Sequence, residues 1–208
     1  ELASSGSKVL HTRAVELANK NKVALRVLSS FNDVAGTLIT SEDQIMMEAP
    51  LISGIAFTKD EAKLTLRGVK DQPGIASKIL APISEASIEV DMIVQNTGAD
   101  GNTDFTFTVQ RSDFQTAHQL LAGVARTIEA AEVLGDERIA KLSIVGVGMR
   151  SHAGVATQMF EILAKESINI QVISTSEIKI SVVIDEKYLE LAARALHAGF
   201  GLEVVAET

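Results

Sequence analysis

Leu64-Thr-Leu-Arg-Gly68, Pro73-Gly-Ile-Ala76 and Ile88-Glu-Val-Asp-Met-Ile93 decide the fold of this chain, because each returns further along. The first is answered by Leu142-Ser-Ile-Val-Gly146. The second and third are answered, at one common spacing, by Ala153-Gly-Val-Ala156 and Ile168-Asn-Ile-Gln-Val-Ile173. A fourth pair joins Asp104-Phe-Thr-Phe-Thr-Val109 to Glu177-Ile-Lys-Ile-Ser-Val182, at a slightly shorter spacing. Four matched segments in one order mark an internal duplication, and the changes of spacing fall in loops, which accept insertions.

Each copy reads strand, helix, strand, strand, helix, strand. Leu64 and Leu66 alternate with Thr65 and Arg67, the two-residue period of a half-buried strand. After the Pro73-Gly74 turn, Ile75, Ala76, Ile79, Leu80 and Ile83 trace one helical face. Ile88, Val90, Met92 and Val94 point one way, with Glu89, Asp91 and Gln95 opposite. Phe105, Phe107 and Val109 alternate with threonines and read as core. The Ala117–Thr127 region supplies a second helix, and a weak strand near Ala131–Leu134 closes the unit. In the second copy Met159, Ile162 and Leu163, then Leu189, Ala192, Ala193 and Leu196, mark the two helices. The hairpin loops are predicted at Asn96–Thr103 and at Ser174-Thr-Ser. Such in/out alternation suits antiparallel sheets with helices on one face. The expected class is α+β: two ferredoxin-like βαββαβ units with antiparallel sheets, preceded by a short α/β remnant.

That remnant and its linker fill 1–45, with a helical pattern followed by Val23-Ala-Leu-Arg-Val-Leu28, which reads as a buried strand. So short a segment cannot bury a core alone. The first unit is assigned to 46–136 and the second to 137–208. The outer strands at 51–58 and 202–206 are free to pair with either unit, so they could be exchanged. Lys59-Asp-Glu61 reads as the join between the 51–58 strand and the next. The chain opens on Glu1, without Met and inside a helical pattern, which predicts a piece of something longer.

Composition narrows the function. Net charge −8, from 19 basic and 27 acidic residues, opposes nucleic-acid binding, which depends on cationic phosphate contacts. The absence of Cys removes disulfides, thiolate nucleophiles and Cys-based metal sites. No apolar run approaches the roughly 18 residues of a membrane span. A cytoplasmic protein that handles small molecules or other proteins is expected. The four histidines (His11, His118, His152, His197) lack metal-ligand spacing; His152 alone sits in the repeated loop. No Gly-x-x-x-x-Gly-Lys loop is present. Glu89 and Asp91, close together on a strand, read as exposed charges.

The repeated loop between first strand and first helix carries the remaining chemistry. It runs Gly68-Val-Lys-Asp71-Gln-Pro73-Gly74 in one copy and Gly146 to Gly154 in the other. A helix N-terminus offers free N–H groups and partial positive charge to a carboxylate. Gly74 admits a ligand close to the backbone. Asp71 can accept hydrogen bonds from an ammonium. Together they would suit a free α-amino acid. Ordinary turn chemistry also accounts for Asp, Pro and Gly here, so both readings stand.

These loops, with Ile88-x-Val-Asp91-Met92-Ile-x-Gln95-Asn96, Val147-Gly-Met149-Arg-Ser151-His152, Ile173-Ser-Thr-Ser-Glu-Ile178 and Ala192-Ala-Arg194-Ala-Leu-His197, resemble the tandem ACT domains of the aspartate kinase family. Glu1-Leu-Ala through Lys8-Val-Leu-His11-x-Arg13-Ala14 is similar to the end of that family's kinase domain, where Ala usually replaces Ser7. The family's N-terminal Lys-Phe-Gly-Gly-Thr signature is missing. The resemblance implies a parent enzyme that phosphorylates the β-carboxylate of L-aspartate with ATP and Mg, toward lysine, threonine and methionine. It implies that this portion alone is inactive, binds no cofactor, and serves as the feedback sensor.

The resemblance also implies the site. Threonine and/or lysine would bind between ACT units, against the first helix of one of them. Asp71, Gln72, Pro73, Gly74, Ile75 and Ala76 would line the pocket, with Glu89, Val90, Asp91 and Gln95 approaching from the neighbouring strand. The partner unit would offer Val155, Ala156, Asn169, Ile170, Ser176 and Glu177. Ala153 stands where some relatives carry Pro. A homodimer through the ACT units and contact with a catalytic kinase domain or subunit are the implied partners. The alternative is a regulatory β subunit that acts mainly as an interaction module. Met46-Met47 would then be an internal start, against the plainer reading as core-edge methionines. A standalone ferredoxin-like enzyme has no residue constellation in its favour.

Overall fold

The computed structural model describes residues 9–39, 52–99, 101–146 and 154–202. The expected linker at 41–50, with Met46 and Met47, as well as His152, Ala153 and all but Leu202 of the expected strand at 202–206, lie outside the described residues. The remnant comprises α1 (Thr12–Lys20), β1 (Leu25–Val27) and β2 (Thr37–Ile39), the two strands paired antiparallel. Leu25–Val27 is half exposed, against the expected buried strand. A two-stranded ribbon has no second layer to bury it. Phe31 is 97% exposed and Leu17 63%.

The body of the chain is one six-stranded antiparallel sheet, in the order β4-β5-β3-β6-β8-β7. Its strands are β3 (Gly54–Lys70), β4 (Val90–Thr97), β5 (Asn102–Gln110), β6 (Glu132–Val145), β7 (Val172–Thr175) and β8 (Lys179–Asp185). Helices α2 (Ile75–Glu85) and α3 (Phe114–Thr127) cover the first half, and α4 (Val155–Lys165) and α5 (Leu189–Gly199) the second. The first hairpin loop closes at 98–101, within the expected Asn96–Thr103. The second closes at 176–178, two residues later than the expected Ser174-Thr-Ser, because Ser174 and Thr175 pair with Ser181 and Ile180.

The two long strands differ from the sequence reading. The join at Lys59-Asp-Glu61 is no interruption: β3 runs through it, with its register to β6 shifting on either side of Glu61. The weak closing strand of the first copy and the opening strand of the second are likewise one strand, β6. Gly54–Thr58 pairs with Lys141–Val145 in the second unit, while Glu132–Asp136 pairs with Lys63–Arg67 in the first. A boundary drawn along the chain at 136/137 therefore does not divide the sheet. Each unit completes its sheet with a strand segment that is continuous with the other's.

The cores follow from this exchange. One gathers Leu64, Leu66, Ile79, Ile83, Phe105, Phe107 and Leu121; the two phenylalanine rings meet edge-on with centroids 6.2 Å apart. The other gathers Ile52, Leu142, Ile144, Met159, Leu163, Val182 and Leu196. Ile52 precedes β3 in sequence yet packs in the second unit, because β3 begins there. A third, smaller cluster lies on the face away from the helices. Met92 and Val94 of β4 meet Ile139, Val172 and Val183 there. The sheet's natural twist thus brings its outer strands together across that face.

Candidate functional site

At the start of α2 the chain builds a cleft of about 360 Å³ from Asp71, Gln72, Pro73, Gly74, Ile75 and Ala76, closed by Gln95 of β4. Gly74 holds the N-cap at φ +86°, and its counterpart Gly154 holds that of α4 at φ +107°. A Cβ at Gly74 would meet nothing within 4 Å, so glycine serves the backbone angle and leaves the cleft open. The Asp71 N–H donates to the Gly101 carbonyl at 3.0 Å, which ties this loop to the β4–β5 hairpin. The Ile75 N–H donates to the Gln72 carbonyl, 3.2 Å. The N–H groups of Ala76 and Ser77, in the first turn, have no acceptor within the helix. An exposed carboxylate and a helix N-terminus therefore line the same open cleft. Such a pair can hold an ammonium at one end and a carboxylate at the other.

The strand opposite does not behave as strict alternation predicts. Val90 pairs with Val109, but Ile93 pairs with Phe107, so β4 carries one extra residue between them. A bulge of this kind shifts every later side chain to the other face. Gln95, opposite Phe105, consequently shares the face of α2 and reaches the cleft. Asp91 stays on the far face, ion-paired with Lys141 of β6. The sequence reading had Asp91 and Gln95 on one face; the bulge sets them on opposite ones. Glu89 and Val90 stand at the head of β4, outside the cleft, with Val90 packed on the first core.

The second unit places its predicted residues at corresponding positions. Val155 is buried and Ala156 half-buried in the first turn of α4, packed on the second core. Asn169 is exposed and Ile170 half-buried just ahead of β7. Ser176 closes the β7–β8 turn, its N–H donating to the Lys179 carbonyl at 2.7 Å, with Glu177 beside it. Within one chain none of these six lines the Asp71 cleft.

Sequence reasoning missed a polar cluster beneath the site. Lys141 bridges Glu61, at 2.5 Å, and Asp91. Glu61 and Lys141 are buried, and Glu61 Oε2 has no partner. Burial pushes the Glu61 carboxyl above its ordinary range, and the bond from Lys141 only partly opposes this. Burial pulls the Lys141 ammonium down, but its bonds to the two carboxylates outweigh that and hold it above the usual lysine value. Nearby, the Lys63 ammonium donates to Gln171, and burial lowers its pKa. Arg111 reaches Glu186 at 3.1 Å across the junction of the units. The signal was a charge inside an apolar run, Ile139-Ala-Lys141-Leu-Ser-Ile144.

A second cleft, about 620 Å³, lies nearby at the β4–β5 hairpin end of the same unit, around Arg67, Asn96, Asp104 and Glu132. Its guanidinium is already held by Glu132 at 3.5 Å and Asp104 at 3.8 Å, and Asp104 also accepts from the Gly68 N–H. Its charges satisfy one another, whereas those of the smaller cleft do not. Among the described residues no three acidic or histidine side chains gather as a metal cage, and no helix is long and apolar enough to cross a membrane.

Comparison with known proteins agrees with the doubled fold. The ACT domain family model matches residues 65–123 and 142–200. The chain is 66% identical over 206 residues to an aspartate kinase of Pseudomonas fluorescens (strain SBW25), a match that covers 99% of this chain and 50% of that protein. It thus spans about half the length of such curated relatives. The regulatory subunit of aspartate kinase from Thermus thermophilus, solved without ligand, superposes with a TM-score of 0.69 at 40% identity. That match covers 72% of this chain and 99% of the subunit. A crystal structure of aspartokinase alpha and beta subunits gives 0.68 at 53% identity, covering 72% and 99%.

Proposed function

Because the chain belongs to the aspartate kinase family, as a regulatory region of two ACT domains, we propose that it binds end-product amino acids, threonine and/or lysine, and relays feedback inhibition to a kinase that phosphorylates aspartate with ATP. The observation that carries this reading is the Asp71–Ala76 cleft. Its free helix amides suit the ligand carboxylate, and Asp71 suits the ammonium. Gln95 supplies a neutral donor and acceptor at the rim, able to select among side chains.

The cleft is open on one side within a single chain, and the edge strands β4 and β7 each present an exposed isoleucine, Ile93 and Ile173. A second copy set beside these edges would remove them from solvent and bring Val155, Ala156, Asn169, Ile170, Ser176 and Glu177 toward the ligand. A ligand that bridges two units favours one arrangement of them, and that preference shifts the kinase. Couplings of this kind amount to about 1–3 kcal/mol. The kinase itself works in the cytoplasm in this reading, and the rest of its catalytic domain covers the exposed apolar side chains of α1, β1 and β2.

Titration calorimetry of the chain with L-threonine and L-lysine tests the reading. Heat of binding is expected from at least one of them, and Asp71→Ala should abolish it while the circular dichroism spectrum is unchanged. A wild-type chain that binds neither, or an Asp71→Ala chain that binds as before, overturns the assignment. A subunit that chiefly docks onto catalytic chains is the second reading. It draws on the match of this chain to almost the whole of a separate regulatory subunit. Binding to a catalytic subunit with unchanged strength when threonine and lysine are added would favour it.

A further inference from the structure

Three irregularities of the sheet meet at one place. The β3–β6 register shifts on both sides of Glu61, where β3 passes from the second unit to the first. The β4 bulge between Val90 and Ile93 leaves Asp91 on the face away from the helices and turns Gln95 onto the helix face. Lys141 of β6, paired with Thr58 of β3 and Val183 of β8, stands between the two carboxylates. The bulge is pinned a second time, because the Met92 N–H donates to the Thr108 hydroxyl at 3.2 Å. Bulges that aim a side chain are characteristic of functional places.

Resting on the reading of the Asp71 cleft as a ligand site, we infer that Glu61, Lys141 and Asp91 are positioning residues for it: their ion triad, buried at Glu61 and Lys141 and half exposed at Asp91, fixes the β4 bulge against the second unit. Gln95 lies four residues beyond Asp91, about 13 Å along an extended strand. Its presence on the cleft face depends on the bulge, since loss of one residue of register would turn it to the other side. Asp91 thus acts on the ligand through the strand and not by touching it. Glu61 makes the arrangement conditional. Two carboxylates share one ammonium, and one oxygen of Glu61 is buried without a partner. An unpaired polar atom is costly in so buried a place, so the position of Glu61 depends on Lys141 staying within reach. The joint belongs to both units at once, since Asp91 lies in the first unit's edge strand and Lys141 in the half of β6 that belongs to the second. A change in how the units sit is therefore felt at Gln95.

Hydrogen exchange and calorimetry on the full chain separate this from a direct ligand role for Asp91. Lys141→Met, Glu61→Gln and Asp91→Asn should each speed amide exchange at Met92–Gln95 at least tenfold, with β8 unchanged, and weaken threonine or lysine binding several-fold. Lys141→Arg should restore both. The double variant Glu61→Gln/Asp91→Asn should weaken binding no more than the worse single one, as expected of residues acting as a unit. Asp71→Ala should lose binding with exchange at Met92–Gln95 at the wild-type rate. If Lys141→Met does not fold, the two carboxylate variants decide. Wild-type exchange rates at Met92–Gln95 in these variants overturn the inference, as does weakened binding confined to Asp91→Asn. A wild-type chain that binds neither amino acid removes the ligand reading instead, and exchange at Met92–Gln95 still decides whether the triad holds the bulge.

Discussion

Gly74 and Ser87 bracket α2 with the same sign of φ and opposite consequences. Gly74 adopts +86° at no steric cost, whereas Ser87 holds +58° with a Cβ in place. Ser87 stands just past the helix, where the Ile88 N–H donates back to the Ile83 carbonyl at 3.1 Å and left-handed glycine is the usual residue. Ser167 repeats the arrangement after α4, at φ +57° with Ile168 donating to Leu163. Ser87→Gly and Ser167→Gly are each expected to stabilise the fold by about 1 kcal/mol, the cost of the left-handed conformation for a residue with a side chain. Urea midpoints should rise with unchanged slopes; a fall in either midpoint would refute the account. Gly74→Ala should lose a similar amount through backbone conformation alone, because its added methyl meets no atom within 4 Å. That methyl would project at the mouth of the cleft, so loss of ligand binding should exceed what the stability change explains.

Among the elements, β3, β4 and β6 carry what alternation could not show. The apolar face of α2 and the alternation of β5 emerged as read, since both follow a single period from end to end. The β4 bulge is invisible to a two-residue period, because the inserted residue, in the run Asp91-Met92, looks like the next step of the alternation. Lys59-Asp-Glu61 resembles a turn for a related reason. Lys59 and Asp60 are tolerated inside a strand because they face solvent, and the buried Glu61 because Lys141 pairs with it from the adjacent strand. Asp71 to Ala76 and Gln95 were legible as a site because loop chemistry is local. Lys141 was not, because its partners Glu61 and Asp91 sit on strands far from it in sequence. The same triad predicts a pH dependence. Unfolded, Glu61 titrates near 4.5; folded, burial raises it above that against the pull of Lys141 and with Asp91 adding repulsion. Between those two values the folded chain binds more protons, so its stability falls as pH rises. Glu61→Gln removes this slope and should gain on wild type as pH climbs from 4.5 toward neutrality. Urea unfolding of both chains at several pH values decides it, and parallel stability curves would count against the triad as described.

The whole molecule inherits its cooperativity from two strands. In a simple tandem array each copy would own its sheet, and the chain could unfold in two steps. Here β3 contributes Gly54–Thr58 to the second unit and the rest to the first, while β6 contributes Glu132–Asp136 to the first and Ile139–Val145 to the second. Melting either unit strips an inner strand from the other, exposing backbone groups that the sheet had paired. The small cluster of Met92, Val94, Ile139, Val172 and Val183 adds apolar contact between the halves on the open face. The Arg111–Glu186 pair adds a half-buried polar one. Separation would expose all of these together. Residues 52–202 are therefore expected to unfold in one transition, with calorimetric and van't Hoff enthalpies equal. A chain in which Gly54–Thr58 is replaced by a Gly/Ser sequence should lose protection in β6 and β8 as well as in β3, although no residue of the second copy has changed. Two separate heat-absorption peaks in the wild-type chain would refute this reading, as would native exchange in β8 of the replaced one. If it holds, ligand binding in the first unit cannot be confined there, because the strand that completes its sheet is also the inner strand of the second.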